Sequence, residues 1–210
     1  MKQVLFYGDS NTWGLIPGTH PYQRYPRGIR WTSIVQKRAS GKLNVIEEGL
    51  CGRTTVFEDE LRPGRSGIDA LPLILEKHRP LDYAVLMLGT NDCKTMYHAT
   101  PEIIGSGVRR CLQKLMEEIP KERILLISPI LFGKNVFLPE KDPEFGQESV
   151  TISYGLKSVY EKIAGSFGCE FLAGSDIVLP SEIDDEHLDE EGHRIFAEAV
   201  LQKLSAMQVL

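Results

Sequence analysis

The sequence of 210 residues predicts an α/β fold, a three-layer α/β/α sandwich around a five-stranded parallel sheet. Two observations predict it. Apolar runs of strand length recur along the chain, and each is followed by a stretch in which apolar residues return with helical spacing. The apolar runs do not alternate with polar residues, and such strands are typical of a parallel sheet that helices cover on both faces.

Each predicted strand is a short apolar run, and each predicted helix is a longer stretch with one apolar face. In chain order the predicted strands are Val4–Tyr7, Leu43–Ile46, Tyr83–Leu88, Ile124–Ile127 and Cys169–Leu172. The predicted helices are Trp31–Ala39, Ile68–Lys77, Pro101–Glu118, Val150–Ser166 and Gly192–Met207. Because no repeat, low-complexity tract or linker divides the chain, we expect a single domain over residues 1–210.

Composition and charge exclude several classes of protein. The net charge of -5 does not indicate a protein that binds nucleic acid or an anionic membrane, since both attract positively charged proteins. The four cysteines show no Cys-x-x-Cys spacing, which argues against a zinc site or a redox pair. The apolar run before Gly8 is too short for a secretion signal, and no stretch approaches the about 20 apolar residues of a membrane helix. We therefore expect a cytoplasmic protein without nucleic-acid or membrane partners.

Three predicted loops are longer than an α/β connection needs, namely Asn11–Arg30, Val56–Gly67 and Pro129–Ser149. Each is rich in glycine, proline and apolar or aromatic residues. Such loops shape a substrate pocket, form a contact between copies of the chain, or pack over their own domain. The sequence leaves these alternatives open. A contact between copies of the chain would make the protein a homo-oligomer.

Polar turns follow the first three predicted strands. They are Gly8-Asp9-Ser10-Asn11, Gly49-Leu50-Cys51-Gly52-Arg53-Thr54 and Gly89-Thr90-Asn91-Asp92. Carboxyl ends of parallel strands lie along one edge of a sheet. If the first strand lies between the second and the third, as in a flavodoxin-like order, the three turns surround the crevice in which such folds bind ligands.

These turns carry the groups that acyl transfer needs. Ser10 is a candidate nucleophile, and its own N–H, the N–H of Gly52 and the Asn91 amide are candidate donors to an oxyanion. Of the five histidines, only His187 follows a carboxylate, Asp184, by three residues in a loop that leads into a helix. That spacing allows Asp184 to fix the imidazole tautomer, so that His187 can act as the base. Each motif alone is also typical of ordinary turns and helix caps.

Four sequence blocks carry a resemblance to a known family. They are Gly8-Asp9-Ser10-Asn11, Gly49-x-x-Gly52-x-Thr54, Gly89-x-Asn91-Asp92 and Asp184-x-x-His187. By these blocks, which span nearly the whole chain, the sequence resembles the GDSL family of esterases and lipases, also called SGNH hydrolases. Asn11 stands where that family more often has Leu.

A finer similarity is to the arylesterase and acyltransferase-like branch of this family, which can have Ala where this chain has Gly52. It rests on Thr12-Trp13-Gly14, Arg30-Trp31-Thr32, Glu47-Glu48-Gly49, Arg53-Thr54-Thr55 and Met87-Leu88-Gly89-Thr90-Asn91-Asp92. The similarity adds that some members of the branch form oligomers and some transfer acyl groups to alcohols.

The family resemblance implies roles for individual residues. Ser10 is the expected nucleophile, Gly52 and Asn91 are expected oxyanion-hole members, His187 is the expected base and Asp184 its expected partner. The resemblance also implies a flavodoxin-like sheet, no metal and no cofactor. Asp9 and Asp92 are expected to have structural roles, in which their side chains cap the backbone of their own turns.

We therefore expect a serine esterase that hydrolyses small or medium acyl esters through an acyl-serine intermediate. Acyl transfer, deacetylation of a carbohydrate or other metabolite, and thioester hydrolysis stay open, because they share the same first half-reaction. The apolar loops favour an ester of an apolar or aromatic alcohol, and the expected partner is a small-molecule ester.

A remote alternative is a metal-dependent phosphohydrolase in which Asp9 accepts the phosphoryl group and Asp92 binds the metal. Such enzymes generally need a second Asp two residues after the first, and this chain has Asn11 there. A binding module without catalytic activity on the same fold is the other alternative.

Overall fold

A computed structural model describes residues 1–210 and contains one five-stranded sheet, in which every strand runs parallel to its neighbours. The strands are β1 (Lys2–Gly8), β2 (Leu43–Gly49), β3 (Tyr83–Met87), β4 (Ile124–Ser128) and β5 (Glu170–Ala173). Their order across the sheet is β2-β1-β3-β4-β5, the flavodoxin-like order. The predicted fold class is confirmed, and the single-domain organisation stays a prediction.

Helices cover both faces of the sheet. They are α1 (Ser10–Trp13), α2 (Trp31–Arg38), α3 (Gly67–His78), α4 (Pro101–Met116), α5 (Gln147–Phe167) and α6 (Glu190–Ala206). Helices α3, α4 and α5 pack on one face, and α2 and α6 pack on the other. The short helix α1 lies in a segment predicted as loop, because four residues are too few to show a helical pattern.

The central strand β1 shows why the strands appear in the sequence as continuous apolar runs. Its Leu5 and Tyr7 pack into the core beneath α3, α4 and α5, whereas Val4 and Phe6 pack into the core beneath α2 and α6. Successive side chains point to opposite faces of a strand. Since both faces are covered, both sets of side chains must be apolar.

The register of the sheet brings the three polar turns together. Gly8, the last residue of β1, pairs with Gly49 of β2 on one side and with Met87 of β3 on the other. A Cβ atom on Gly49 would lie 2.3 Å from the backbone nitrogen of Trp13, so only glycine lets α1 pack this closely. The turns after β1, β2 and β3 therefore begin side by side at the carboxyl edge of the sheet.

None of the helices combines the length and apolar character that a transmembrane span requires.

Candidate active site

Ser10 is the first residue of α1, directly after the turn that ends β1. The Asp9 side chain caps this helix, because its Oδ1 accepts a hydrogen bond of 3.0 Å from the Asn11 backbone N–H. The expected capping role of Asp9 is thus confirmed. The Ser10 Oγ lies 2.8 Å from the Nε2 atom of His187, although the two residues are 177 positions apart.

His187 lies in the loop before α6 and is held by Asp184. The His187 Nδ1 is 2.8 Å from Asp184 Oδ2, while Asp184 Oδ1 accepts the backbone N–H groups of Glu186 and His187 at 3.1 and 2.9 Å. Burial alone would raise the pKa of Asp184, but the hydrogen bonds from His187 outweigh it and hold that pKa below its ordinary value. Asp184 therefore stays ionised, and it holds the ring with Nε2 toward Ser10.

The pKa of His187 itself is raised. Burial acts to lower it, but the carboxyl groups of Glu186 and Asp184 favour the protonated ring and outweigh burial. The neutral ring, which is the form that can accept a proton from Ser10, therefore gains population as the pH rises.

Asn11 ties the serine turn to the histidine loop. Its Nδ2 donates to the Glu186 carbonyl at 3.2 Å, and its Oδ1 accepts from the Leu188 N–H at 3.0 Å. The two bonds flank His187 and fix its distance from Ser10. Sequence reasoning gave Asn11 no such role, although its departure from the Leu that is more frequent in the family was a signal.

Gly52 and Asn91 line the same narrow pocket as Ser10 and His187. Gly52 has a φ of 81°, a left-handed conformation that glycine adopts without strain, and its N–H donates to no group of the protein. The Asn91 Nδ2 donates to the Arg53 carbonyl at 3.1 Å. Because an amide nitrogen carries two hydrogens, one remains for a ligand. The structure thus brings all five predicted site residues together, and their catalytic roles stay predictions.

Asp92 does not mainly cap its own turn, as the sequence suggested. Its carboxylate accepts the Thr55 backbone N–H at 2.9 and 3.0 Å and the Thr55 hydroxyl, across the gap to the turn after β2. The spatial neighbour offers two donors in one residue, which a sequence pattern does not show. Burial raises the pKa of Asp92 to about 7 and that of Asp9 to about 6.

Both of these aspartates are completely buried. A phosphoryl acceptor must be reachable by its substrate, and Asp9 is not part of the pocket wall. This removes the phosphohydrolase alternative. No three His, Cys, Asp or Glu side chains are grouped so that they could hold a metal ion.

Polar and charged side chains dominate the pocket wall around Ser10. The three apolar or weakly polar members of this wall are Leu15, Tyr22 and Cys51, and its ionisable members are Arg62, Lys94, Asp142, Glu144, Glu186 and His187. The expected preference for an apolar alcohol is therefore unsupported. No apolar residue of the third long loop lines this pocket. Four of them are buried in the core, namely Ile130, Phe132, Val136 and Phe145.

A model of the GDSL-like lipase/acylhydrolase family matches residues 6–195. The chain belongs to this family. Its members include structures that resemble the chain over its whole length. A carbohydrate acetylesterase from Sinorhizobium meliloti is 33% identical, with a TM-score of 0.89 and coverage of 98% of this chain and 99% of the other.

The aryl esterase of M. smegmatis is 28% identical, with a TM-score of 0.90 and coverage of 99% of this chain and 100% of the other. A lipase/acylhydrolase from Enterococcus faecalis is 18% identical with a TM-score of 0.68, covers 98% of this chain and 96% of its own, and so shares the fold. No curated protein sequence matches this chain. The family match and the similarity to esterase structures show that this GDSL-type protein is a carboxylic ester hydrolase.

Proposed function

We infer that this esterase uses a Ser10–His187–Asp184 triad to hydrolyse esters of small acyl groups through an acyl-serine intermediate. This inference rests on two contacts of 2.8 Å that the same imidazole ring makes. One joins His187 Nε2 to Ser10 Oγ, and the other joins His187 Nδ1 to Asp184 Oδ2. The narrowness of the pocket beside the serine supports a small acyl group.

In the acylation step, His187 Nε2 takes the Ser10 hydroxyl proton while Oγ bonds to the ester carbonyl carbon. The carbonyl oxygen becomes an oxyanion, which the N–H groups of Ser10 and Gly52 and the second amide hydrogen of Asn91 stabilise. The intermediate collapses when the bond to the alcohol oxygen breaks and His187 gives its proton to that oxygen. Water then repeats the sequence and releases the acid.

Deacetylation of a carbohydrate or another polar metabolite is the second candidate function. It is favoured by the charged pocket wall, which offers hydrogen bonds to a hydroxylated alcohol, and by the similarity to a carbohydrate acetylesterase. Acyl transfer and thioester hydrolysis would use the same acyl-serine intermediate. The proposed partner is thus a small ester rather than a nucleic acid or a membrane, and assembly into a homo-oligomer is compatible with it.

The proposal is tested by treating the protein with a serine-reactive organophosphonate and locating the added mass. We expect one adduct on Ser10 and loss of p-nitrophenyl acetate hydrolysis. Ser10→Ala should take no adduct and should lose at least about 10³-fold in kcat. Ser158→Ala, which removes an exposed hydroxyl on α5, serves as the matched control and should behave as wild type. Labelling elsewhere, or an active Ser10→Ala protein, would exclude Ser10 as nucleophile.

A further inference from the structure

Glu186, between the paired Asp184 and His187, has a side chain that the triad does not use. It is only 5% exposed, yet it forms part of the pocket wall beside Ser10. No N–H or O–H group of the protein lies within hydrogen-bonding distance of its carboxyl oxygens. Its nearest charged neighbour is His187 Nε2, at 3.6 Å from Oε1.

A carboxyl group in this position is costly for the folded protein. Burial raises the pKa of Glu186 to about 8, a rise that His187 and Lys94 oppose and that Asp142 and Asp184 reinforce. A buried carboxyl group normally receives hydrogen bonds from several donors. The Glu186 carboxyl group receives none from the protein, and it borders the pocket instead of being sealed in the core. The group is therefore poised to bind a donor that enters the pocket.

The position of Glu186 indicates which part of a ligand would meet it. The alcohol oxygen of the ester must lie within about 3 Å of His187 Nε2, because it takes its proton from that atom. Glu186 Oε1 lies 3.6 Å from the same nitrogen. A hydroxyl on the carbon next to the ester-bearing carbon would therefore reach Glu186 while the alcohol oxygen faces His187.

We propose that Glu186 is a specificity-determining residue that binds a second hydroxyl group of the alcohol, so that the enzyme prefers esters of diols and polyols to esters of simple alcohols. The proposal rests on the proposed function of Ser10 and His187 and deepens it to a substrate class. Sugars, glycerol and other polyols all contain such neighbouring hydroxyl groups, and the charged pocket wall suits them.

The test compares two esters of nearly the same shape. In 2-hydroxyethyl acetate the alcohol ends in a hydroxyl group, and in propyl acetate a methyl group takes its place. We expect the wild-type kcat/KM to favour 2-hydroxyethyl acetate by about tenfold, the effect of one hydrogen bond to a buried carboxyl group. Because both esters react through the same His187, any effect of Glu186 on the histidine pKa changes both rates and leaves their ratio unchanged.

Variants of Glu186 then test whether its side chain causes the difference in kcat/KM between the two esters. Glu186→Met has a similar length without polar atoms and should bring the ratio close to one. Glu186→Gln keeps a hydrogen-bond acceptor and should give an intermediate ratio. It replaces the Met variant in the test if that variant does not fold. The matched control is Asp142→Asn, which removes a carboxylate from the same pocket wall, but one that already accepts the Glu144 N–H at 2.9 Å. It should keep the wild-type ratio.

The outcomes separate this proposal from the proposed function. A wild-type ratio near one, a Met variant that keeps the preference, or an Asp142→Asn variant that loses it would each overturn the role of Glu186 while leaving the esterase intact. Failure of the wild-type protein to hydrolyse either ester would instead contradict the proposed function.

Discussion

At the scale of single residues, the site uses side chains that one hydrogen bond holds in place and that keep a second polar hydrogen or atom for a ligand. Asn91 shows this most clearly, since its Nδ2 donates one hydrogen to the Arg53 carbonyl at 3.1 Å. That bond orients the amide, which lines the pocket together with Ser10 and His187 and has a second hydrogen left for a ligand. In the proposed mechanism, such a fixed donor needs no reorganisation when negative charge develops on the ester carbonyl oxygen.

Asn91→Ala should therefore lower kcat for p-nitrophenyl acetate by about 10²–10³-fold with a smaller change in KM. Steady-state kinetics measure this, with Asn44→Ala as the control. Asn44 is also an asparagine with a bonded amide, at 2.6 Å from the Gln3 side chain, but it lies in β2 away from the pocket. A near-wild-type kcat for Asn91→Ala would leave Asn91 as a turn residue only.

At the scale of elements, Asp185 connects the histidine loop to the long segment between β4 and α5. Its Oδ2 lies 2.7 Å from Lys141 Nζ and accepts the Asn135 N–H at 3.0 Å, and its carbonyl accepts the Gly133 N–H at 2.8 Å. Asp185 also has a φ of 59°, in the left-handed region, which Asp and Asn tolerate better than Ala does. Two segments that both border the active site are therefore joined at one residue.

Asp185→Ala should lower the free energy of unfolding by about 1–3 kcal/mol, because it removes side-chain bonds to a nearly buried group and strains the backbone. Asp185→Asn keeps an acceptor and the backbone preference and should lose less. Urea unfolding of the two variants gives the comparison. Equal stability of the Ala variant and the wild type would show that the two segments hold their positions independently.

The sequence predicts the elements of this site better than it predicts the bonds between them. Strand β1 and the turn at Ser10 are recognisable because apolar runs and turn residues are local signals. The bonds of Asn11 to Glu186 and Leu188 join residues about 175 positions apart, which no local pattern encodes. The partner of Asp92 was missed for the same reason, since Thr55 approaches only once the sheet has formed.

At the scale of the whole molecule, buried ionisable groups make the stability depend on pH. His193 of α6 is completely buried, with Trp31 N–H 3.4 Å from its Nδ1 and the ring of Tyr25 against its edge. Burial lowers the pKa of His193 to about 3, and the nearby charges of His187 and Arg30 act in the same direction. The folded protein therefore keeps His193 neutral over a range in which the unfolded chain binds a proton.

The sign of the effect follows from linkage. The contribution of His193 to stability is fully present above the unfolded pKa of about 6.5 and falls as the pH decreases toward about 3. Between pH 6.5 and pH 5 this amounts to about 1.6 kcal/mol, because the slope rises from half of about 1.4 kcal/mol per pH unit at the unfolded pKa to nearly the full value at pH 5. His193→Gln should lose correspondingly less stability than the wild type over this interval.

Urea unfolding at both pH values measures this difference, and His20→Gln, at an exposed histidine, is the control that should follow the wild type. If His193→Gln shows the same pH dependence as the wild type, the acid sensitivity belongs to the carboxylates instead.

The two side-chain bonds of Asn11 also make the geometry of the site depend on distant parts of the chain. Asn11 lies beside Ser10, whereas the groups that it binds, the Glu186 carbonyl and the Leu188 N–H, lie on either side of His187 about 175 positions later. A fragment that lacks the segment from Glu186 to Leu188 contains Ser10 but not the histidine that the proposed mechanism requires. We therefore expect no ester cleavage from such a fragment.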